Sequence, residues 1–417
     1  MLKNLSDHKK YVLFSYLTIA SNILTGFVLI PLILKYIGLA ALGVFGLLFS
    51  LKSIIDIGIG WLSGSITKNL LKYKYIKPDI STLSFIVNMS YGLISVFIIW
   101  LYGYISKEDY FLSFIYFGLF TFLSFSLIPF YEILISNLKQ YQTAFFRFLQ
   151  QFLFMIFSIS SFVFLNLNTL SSIFLSLLIS VVLVYIIVFL YFNINIKVKL
   201  SKKNISKKMI KKLFLTDGIK YFINGISTIL LLQIDVILID YLYGSENAGI
   251  YLLIWKIPNT IIMLGWRISE PLQATIAKNI KKNKEEIYSK FCLFEKKVFI
   301  LSIIIAALYT FLGEFILNIW LGSEKVPYLK YMYIISSFVI ILSIMQRVYL
   351  SVNYYTYGLN NITILQFIEL AFKIVFIVLF FNEFKELAPI IGWLIGFLFT
   401  FYFYRLNSLK IFKRVVK

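Results

Sequence analysis

The stretch NINIKVKLSKKNISKKMIKKL, residues 193–213, carries Lys197, Lys199, Lys202, Lys203, Lys207, Lys208, Lys211 and Lys212 with no acid among them. It is the only long polar interval near the middle of a chain that is otherwise a succession of apolar runs, and it divides the 417 residues into two parts of similar length. A lysine block beside a membrane span is held on the cytoplasmic side. That fixes one face of the membrane, from which the rest of the chain can be counted outward.

The composition requires a membrane. A chain that is 60% hydrophobic and 19% aromatic, with 14% charge, cannot hide its apolar surface in one soluble core. Its apolar runs recur at about 20 residues, the length a helix needs to cross a bilayer of roughly 30 Å. The net charge of +21 does not point to nucleic acid, because the lysines cluster between apolar runs, where they face anionic lipid. One cysteine, Cys292, and one histidine, His8, give no material for a disulfide framework or a zinc site, and no cofactor is expected. The first apolar run follows Lys3, Lys9 and Lys10, is too long for a signal-peptide core and lacks a small-residue cleavage pattern, so it reads as a permanent span.

The expected fold is an all-α polytopic membrane protein of about 12 transmembrane helices. The spans fall at 11–34, 41–66, 83–104, 111–135, 145–165, 171–192, 214–242, 248–270, 298–321, 329–352, 362–382 and 387–406. One set of connections carries Lys68, Lys72, Lys74 and Lys77, then Lys139, the central block, Lys278 to Lys290, and finally Arg405, Lys410, Lys413, Arg414 and Lys417. The other set is short and neutral or acidic, and only 353–361 on the basic side lacks a charge. Both termini are therefore expected in the cytoplasm. The expected organisation is a six-helix lobe over 1–192, a basic cytoplasmic linker over 193–213 and a second six-helix lobe over 214–417. No outer loop is long enough to fold into a catalytic module.

A repeat underlies this order. LILKYIGLAALGVFGLL from Leu32 aligns without gaps, about 206 residues on, with LIDYLYGSENAGIYLLI from Leu238. Gly38 falls on Gly244, Gly43 on Gly249, Val44 on Ile250 and Phe45 on Tyr251. Each match lies where an outward span turns back, and glycine suits such a turn because it takes positive φ without a Cβ penalty. Six spans per half bring both halves in from the same side, related by a pseudo-two-fold axis along the membrane normal with a central cavity between them.

At these residues the chain resembles a known family. VLIPLILKYIGLAALGVFGLLFSLKSIIDIGIG, Val28 to Gly60, resembles the opening of the polysaccharide flippases, the O-antigen and capsule repeat-unit exporters of the multidrug/oligosaccharidyl-lipid/polysaccharide superfamily. QIDVILIDYLYGSENAGIYLLIWKIP, Gln233 to Pro258, is similar to the start of their second lobe, and Pro271 sits where that family often ends its eighth helix. The resemblance implies translocation of undecaprenyl-pyrophosphate-linked oligosaccharide from the cytoplasmic to the outer leaflet by alternating access through a cationic cavity. It further implies residence in a bacterial cytoplasmic membrane, with membrane lipids and polysaccharide polymerase machinery as partners. Twelve spans differ from the fourteen typical of peptidoglycan-precursor flippases.

The charges at bilayer depth are the candidate site. Each costs about 2.5–3.5 kcal/mol on insertion scales, so each should meet a partner or a wet cavity. Lys52 and Asp56 stand four apart on one helix face, as do Glu369 and Lys373, and each couple reads either as a structural ion pair or as part of a site. Lys220, three after Asp217, and Arg267, three before Glu270, lie near the cytoplasmic end, where snorkelling makes a charge cheap. Lys256 and Arg347 have no acid three or four residues away. They are expected to meet a pyrophosphate, Arg347 bidentately and Lys256 as a point charge, or else to pair across helices with an acid such as Asp56 or Glu369. Asp56, Glu369 and Asp235 are the carboxylates expected to couple transport to a proton or sodium gradient; for Asp235 the duller alternative is capping or pairing with a neighbouring helix. Pro31, Pro129, Pro258 and Pro271 mark places where spans can bend. Trp61, Trp100, Trp266, Trp320 and Trp393 fall mainly near span ends, as an interfacial belt requires.

Two other functions compete. A drug exporter of the same superfamily would want net carboxylate in its cavity. A membrane-embedded polymerase or ligase of O-units would be expected to carry a large outer loop rich in Arg, His or Asp, which this chain lacks, so no enzyme activity is expected.

Overall fold

A computed structural model describes residues 7–72, 77–196, 219–269, 284–322, 331–353 and 359–414. Among them are twelve long helices: α1 Asp7–Tyr36, α2 Leu39–Lys72, α3 Lys77–Ser106, α4 Phe111–Ser136, α5 Gln140–Val163, α6 Leu170–Asn195, α7 Ile219–Tyr243, α8 Ser245–Ile268, α9 Lys284–Leu321, α10 Met332–Asn353, α11 Leu359–Phe384 and α12 Ala388–Arg414. Eleven stretches are long and apolar enough to cross a membrane, the last of them, Asn361–Lys410, holding most of both α11 and α12. This is an all-helical, multi-pass membrane protein.

Several helices run beyond the expected spans: the second continues to Lys72, the third begins at Lys77, the last continues to Arg414, and the ninth begins at Lys284, well before 298. Glu285 and Glu286 occupy the first turn of α9, where the helix dipole favours acids, and Glu286 accepts from Lys290 one turn on. Polar residues thus begin this helix well before its apolar run starts. Of the central basic stretch, the part from residue 197 on lies outside the described residues, as do Asp217, Glu270 and Pro271.

The expected turns are present. Gly38 follows α1 with φ 108° and donates its N–H to the Ile33 carbonyl at 2.9 Å; Gly244 precedes α8 with φ 92°. Both conformations are ones that L side chains rarely adopt, and they occur at aligned positions of the repeat.

The chain divides into two compact units. One comprises Met1–Ala41 and Leu51–Phe222, the other Leu42–Ser50 and Ile223–Lys417. Within the first, α3 packs on α4, α4 on α6, α5 on α6 and α1 on α5. Within the second, α9 packs on α10, α10 on α12 and α11 on α12, while hydrogen bonds from Ser227 and Tyr243 tie α7 to α11. Moving each pair of the first unit six helices along the chain gives the pairs of the second. That is the repeat expressed in packing.

The unit boundary does not fall only in the basic stretch. Nine residues of α2, Leu42–Ser50, belong to the second unit: Ser50 Oγ donates to Gln233 of α7 at 3.1 Å, and a Cβ on Gly43 would run into the Ser245 carbonyl and lie 3.1 Å from the Gly249 nitrogen. Glycine is required there for close backbone approach, which matches the use of small residues where helices meet in membranes.

Candidate functional site

In the first unit, Lys52 and Asp56 form the pair that their spacing predicts. Lys52 Nζ lies 2.8 Å from Asp56 Oδ1 and 2.7 Å from Oδ2, with the rings of Phe120 and Phe125 of α4 5.9 and 5.4 Å away. The pair is lopsided, the lysine being 16% exposed and the aspartate 42%.

The second unit places its charges differently. Lys373 does not pair with Glu369, the neighbour that the four-residue spacing offers. Its Nζ meets Asp235 Oδ2 of α7 at 2.6 Å, donates to the Leu231 carbonyl at 2.7 Å, and lies 4.5 Å from the centre of the Trp393 ring. An ammonium has three N–H groups, and this one has two oxygens and an aromatic face around it. Tyr251 of α8 also donates to Asp235 Oδ2. Both charged side chains are 1% exposed. In this structure Lys373 is thus a sealed cation, paired across helices and not with Glu369. Asp235 is likewise sealed, in the helix pairing that was the alternative to a coupling role.

Glu369 faces the other way, into neutral donors. Gln346 Nε2 of α10 reaches both carboxyl oxygens at 3.1 Å, Thr400 Oγ1 of α12 donates at 2.6 Å and Trp393 Nε1 at 3.3 Å. Those donors occupy the carboxyl group, which leaves the ammonium of Lys373 to α7. Trp393 is accordingly a core residue, 1% exposed, and not the interfacial anchor that its place near a span end suggests.

Backbone contact makes this cluster possible. A Cβ on Gly392 would lie 2.9 Å from Lys373 Cα, and one on Gly396 2.9 Å from Glu369 Cα. The two glycines form a Gly-x-x-x-Gly pattern on α12 that lets it approach α11 closely. The sequence carries this signal, GWLIG, and it marks the buried cluster that charge spacing alone missed.

The remaining cations are more open. Lys256 of α8 is partly buried, and among the described residues its Nζ has no carboxylate or hydrogen-bond acceptor. Arg347 of α10, also partly buried, lies with its guanidinium 5.3 Å from the ring centre of Trp266 on α8, while Trp266 Nε1 donates to the Ser343 carbonyl at 3.1 Å. Trp266 thus has a cation–π role within the helix pair. Arg267 is exposed at the end of α8, and the side chain of Lys220 lies outside the described residues. Two groups that spacing did not single out are Glu132 of α4, 1% exposed, and Arg147 of α5, 5.4 Å from the ring of Tyr131.

Comparison with solved structures places the backbone. An inward-facing multidrug resistance MATE family transporter of the MOP superfamily is similar at TM-score 0.66 and 14% identity, covering 99% of this chain and 97% of its own. The fold is that of the MATE transporters. MATE in complex with MaL6 is similar at TM-score 0.64 and 14% identity over 98% of each chain. A MOP superfamily transporter from Pyrococcus furiosus, described as having a binding pocket of reverse polarity that suggests a different function, is similar at TM-score 0.62 and 14% identity, covering 99% of this chain and 97% of its own. No family model matches the sequence, and no curated protein does.

Proposed function

We propose that the protein is a flippase that moves undecaprenyl-pyrophosphate-linked oligosaccharide repeat units from the cytoplasmic to the outer leaflet of a bacterial cytoplasmic membrane, with both termini in the cytoplasm. The observation that carries this reading is Lys256, a partly buried cation at bilayer depth with no acceptor among the described residues. Such a charge is tolerated where it meets water and an anion, and a pyrophosphate is such an anion. Arg347, on a helix packed against α8, adds a second cation within the same unit. The carboxylates Asp235 and Glu369 are sealed, so Lys256 favours an anionic cargo. The MATE fold supports a carrier over a polymerase or ligase. Coupling to a proton or sodium gradient belongs to this proposal, as does contact with polysaccharide polymerase machinery.

The test is complementation of a strain lacking its own O-unit flippase, with wild type, Lys256→Ala and Arg347→Ala at matched membrane abundance. Wild type is expected to restore surface polysaccharide, and both variants are expected to lose it while remaining folded. Variants that work like wild type would make both charges structural and remove the pyrophosphate site.

Drug export is the second reading. It is favoured by the multidrug resistance transporters among the structures of like fold, and by Asp56, a carboxylate left 42% exposed beside Lys52. The same strains, scored for susceptibility to cationic drugs with Asp56→Asn added, separate the two. Protection that needs Asp56 and ignores Lys256 would replace the flippase reading.

A further inference from the structure

Glu132 is buried in a way that Glu369 is not. Its side chain is 1% exposed, and among the described residues no lysine or arginine forms an ion pair with it. Ser84 of α3 donates to its Oε2, and the Ser63 hydroxyl of α2 faces the same carboxyl group, yet Oε1 has no hydrogen bond. Asn88, fully buried one turn beyond Ser84, has the same defect. Its Nδ2 donates to the Ser84 carbonyl at 2.9 Å and to Ser84 Oγ at 3.2 Å, which fixes the amide's orientation and leaves Oδ1 unbonded. The hydrogen bonds thus run in one direction, from Asn88 through the Ser84 hydroxyl to Glu132. The cluster ends with two acceptor oxygens unfilled and no donor to give them.

A carboxylate buried this completely with so few donors carries a large desolvation cost, which a protein removes by neutralising the group. We propose that Glu132 is a proton-binding site of the first unit, held as a neutral carboxylic acid within the Ser84–Asn88 cluster. The step is the transfer of one proton from a hydronium ion to a carboxylate oxygen, forming an O–H bond and leaving water; release is the reverse. The added O–H supplies the donor that the cluster lacks.

The surroundings agree. Among the described residues, the α2 and α3 side chains that reach this cluster, Ser63, Ser84 and Asn88, carry no charge. Asp79, also on α3, is buried more than a turn before Ser84. Helix α6 has no Asp, Glu, Lys, Arg or His, and its Tyr185 lies against Phe130. On α4 itself Tyr131 is adjacent, with Arg147 of α5 over its ring. Use of the proton to drive a transport cycle rests on the carrier reading; its binding does not.

The test is infrared difference spectroscopy of the full-length protein in lipid nanodiscs between acid and alkaline pH, in potassium and then in sodium chloride. The expected result is a protonated-carboxyl band that Glu132→Gln removes, that Glu369→Gln leaves in place, and that sodium does not change. A band unaffected by Glu132→Gln overturns the proposal, and so does a band abolished by sodium at constant pH, which would make the cluster a metal-cation site. If Glu132→Gln does not fold, Ser84→Ala decides the matter. It removes a donor to the charged form, so the band must persist to more alkaline pH, and an unchanged or acid-shifted band overturns the proposal.

Discussion

Lys52 with Asp56 and Lys373 with Asp235 are the same two groups at nearly the same distance, in two units built on the same order of helices. The first pair lies within one helix and is open on its acidic side. The second joins two helices and is closed on all sides by Leu231, Tyr251 and Trp393. Bond length does not distinguish them; access does. An ion pair left open on one side strands the remaining charge less completely when it is broken. A sealed pair strands whichever charge remains.

The largest expected effect is therefore at Lys373. Lys373→Met should cost about 3–5 kcal/mol, the usual penalty for removing one partner of a buried pair, seen as loss of the monodisperse fraction or a lowered melting temperature in detergent. The double variant Lys373→Met with Asp235→Leu should recover most of that loss, since replacing both charges with apolar groups is often neutral or better. A double variant as unstable as the single one would show that Asp235 is not what Lys373 stabilises.

Next comes the backbone contact that holds this cluster. Gly392→Ala sets a methyl group 2.9 Å from Lys373 Cα and 2.8 Å from Phe376 Cβ, against atoms that cannot swing aside. Overpacking of this kind costs about 1–3 kcal/mol, measured by the same thermal shift, whereas Gly60→Ala, with open space around it, should not move the transition by that mechanism.

The smallest effect is expected at the open pair. Lys52→Met should destabilise the protein less than Lys373→Met does, because Asp56 is 42% exposed where Asp235 is 1% exposed. A loss as large as that of Lys373→Met would erase the contrast and show that Asp56 is closed in the membrane.

The same contrast governs what could be read in advance. Lys52 and Asp56 were legible because a four-residue spacing makes neighbours on any helix. Glu369 and Lys373 have that spacing too, and the inference failed there because Gln346, Thr400 and Trp393 supply the carboxylate from other helices. The Leu231 carbonyl that receives Lys373 is 142 residues away, and no local pattern points to it. Trp393 misled for a related reason, since its place near a span end says nothing of whether the next helix covers it. The glycine pattern of α12 is local and marks the close approach of α11. Glu132 was visible as an acid in an apolar run, but not its shortage of donors, which depends on α3.

What the sequence determined by itself is the number and order of the helices, the membrane as their solvent, and the turns at Gly38 and Gly244. Those follow from sums over about 20 neighbouring residues set against the thickness of a bilayer, and from the conformational range of a single residue. The tertiary structure alone decided which buried charges are satisfied and which are open. Pairing at bilayer depth is set by whichever helices stand side by side, and that neighbourhood brings together residues that the chain keeps far apart.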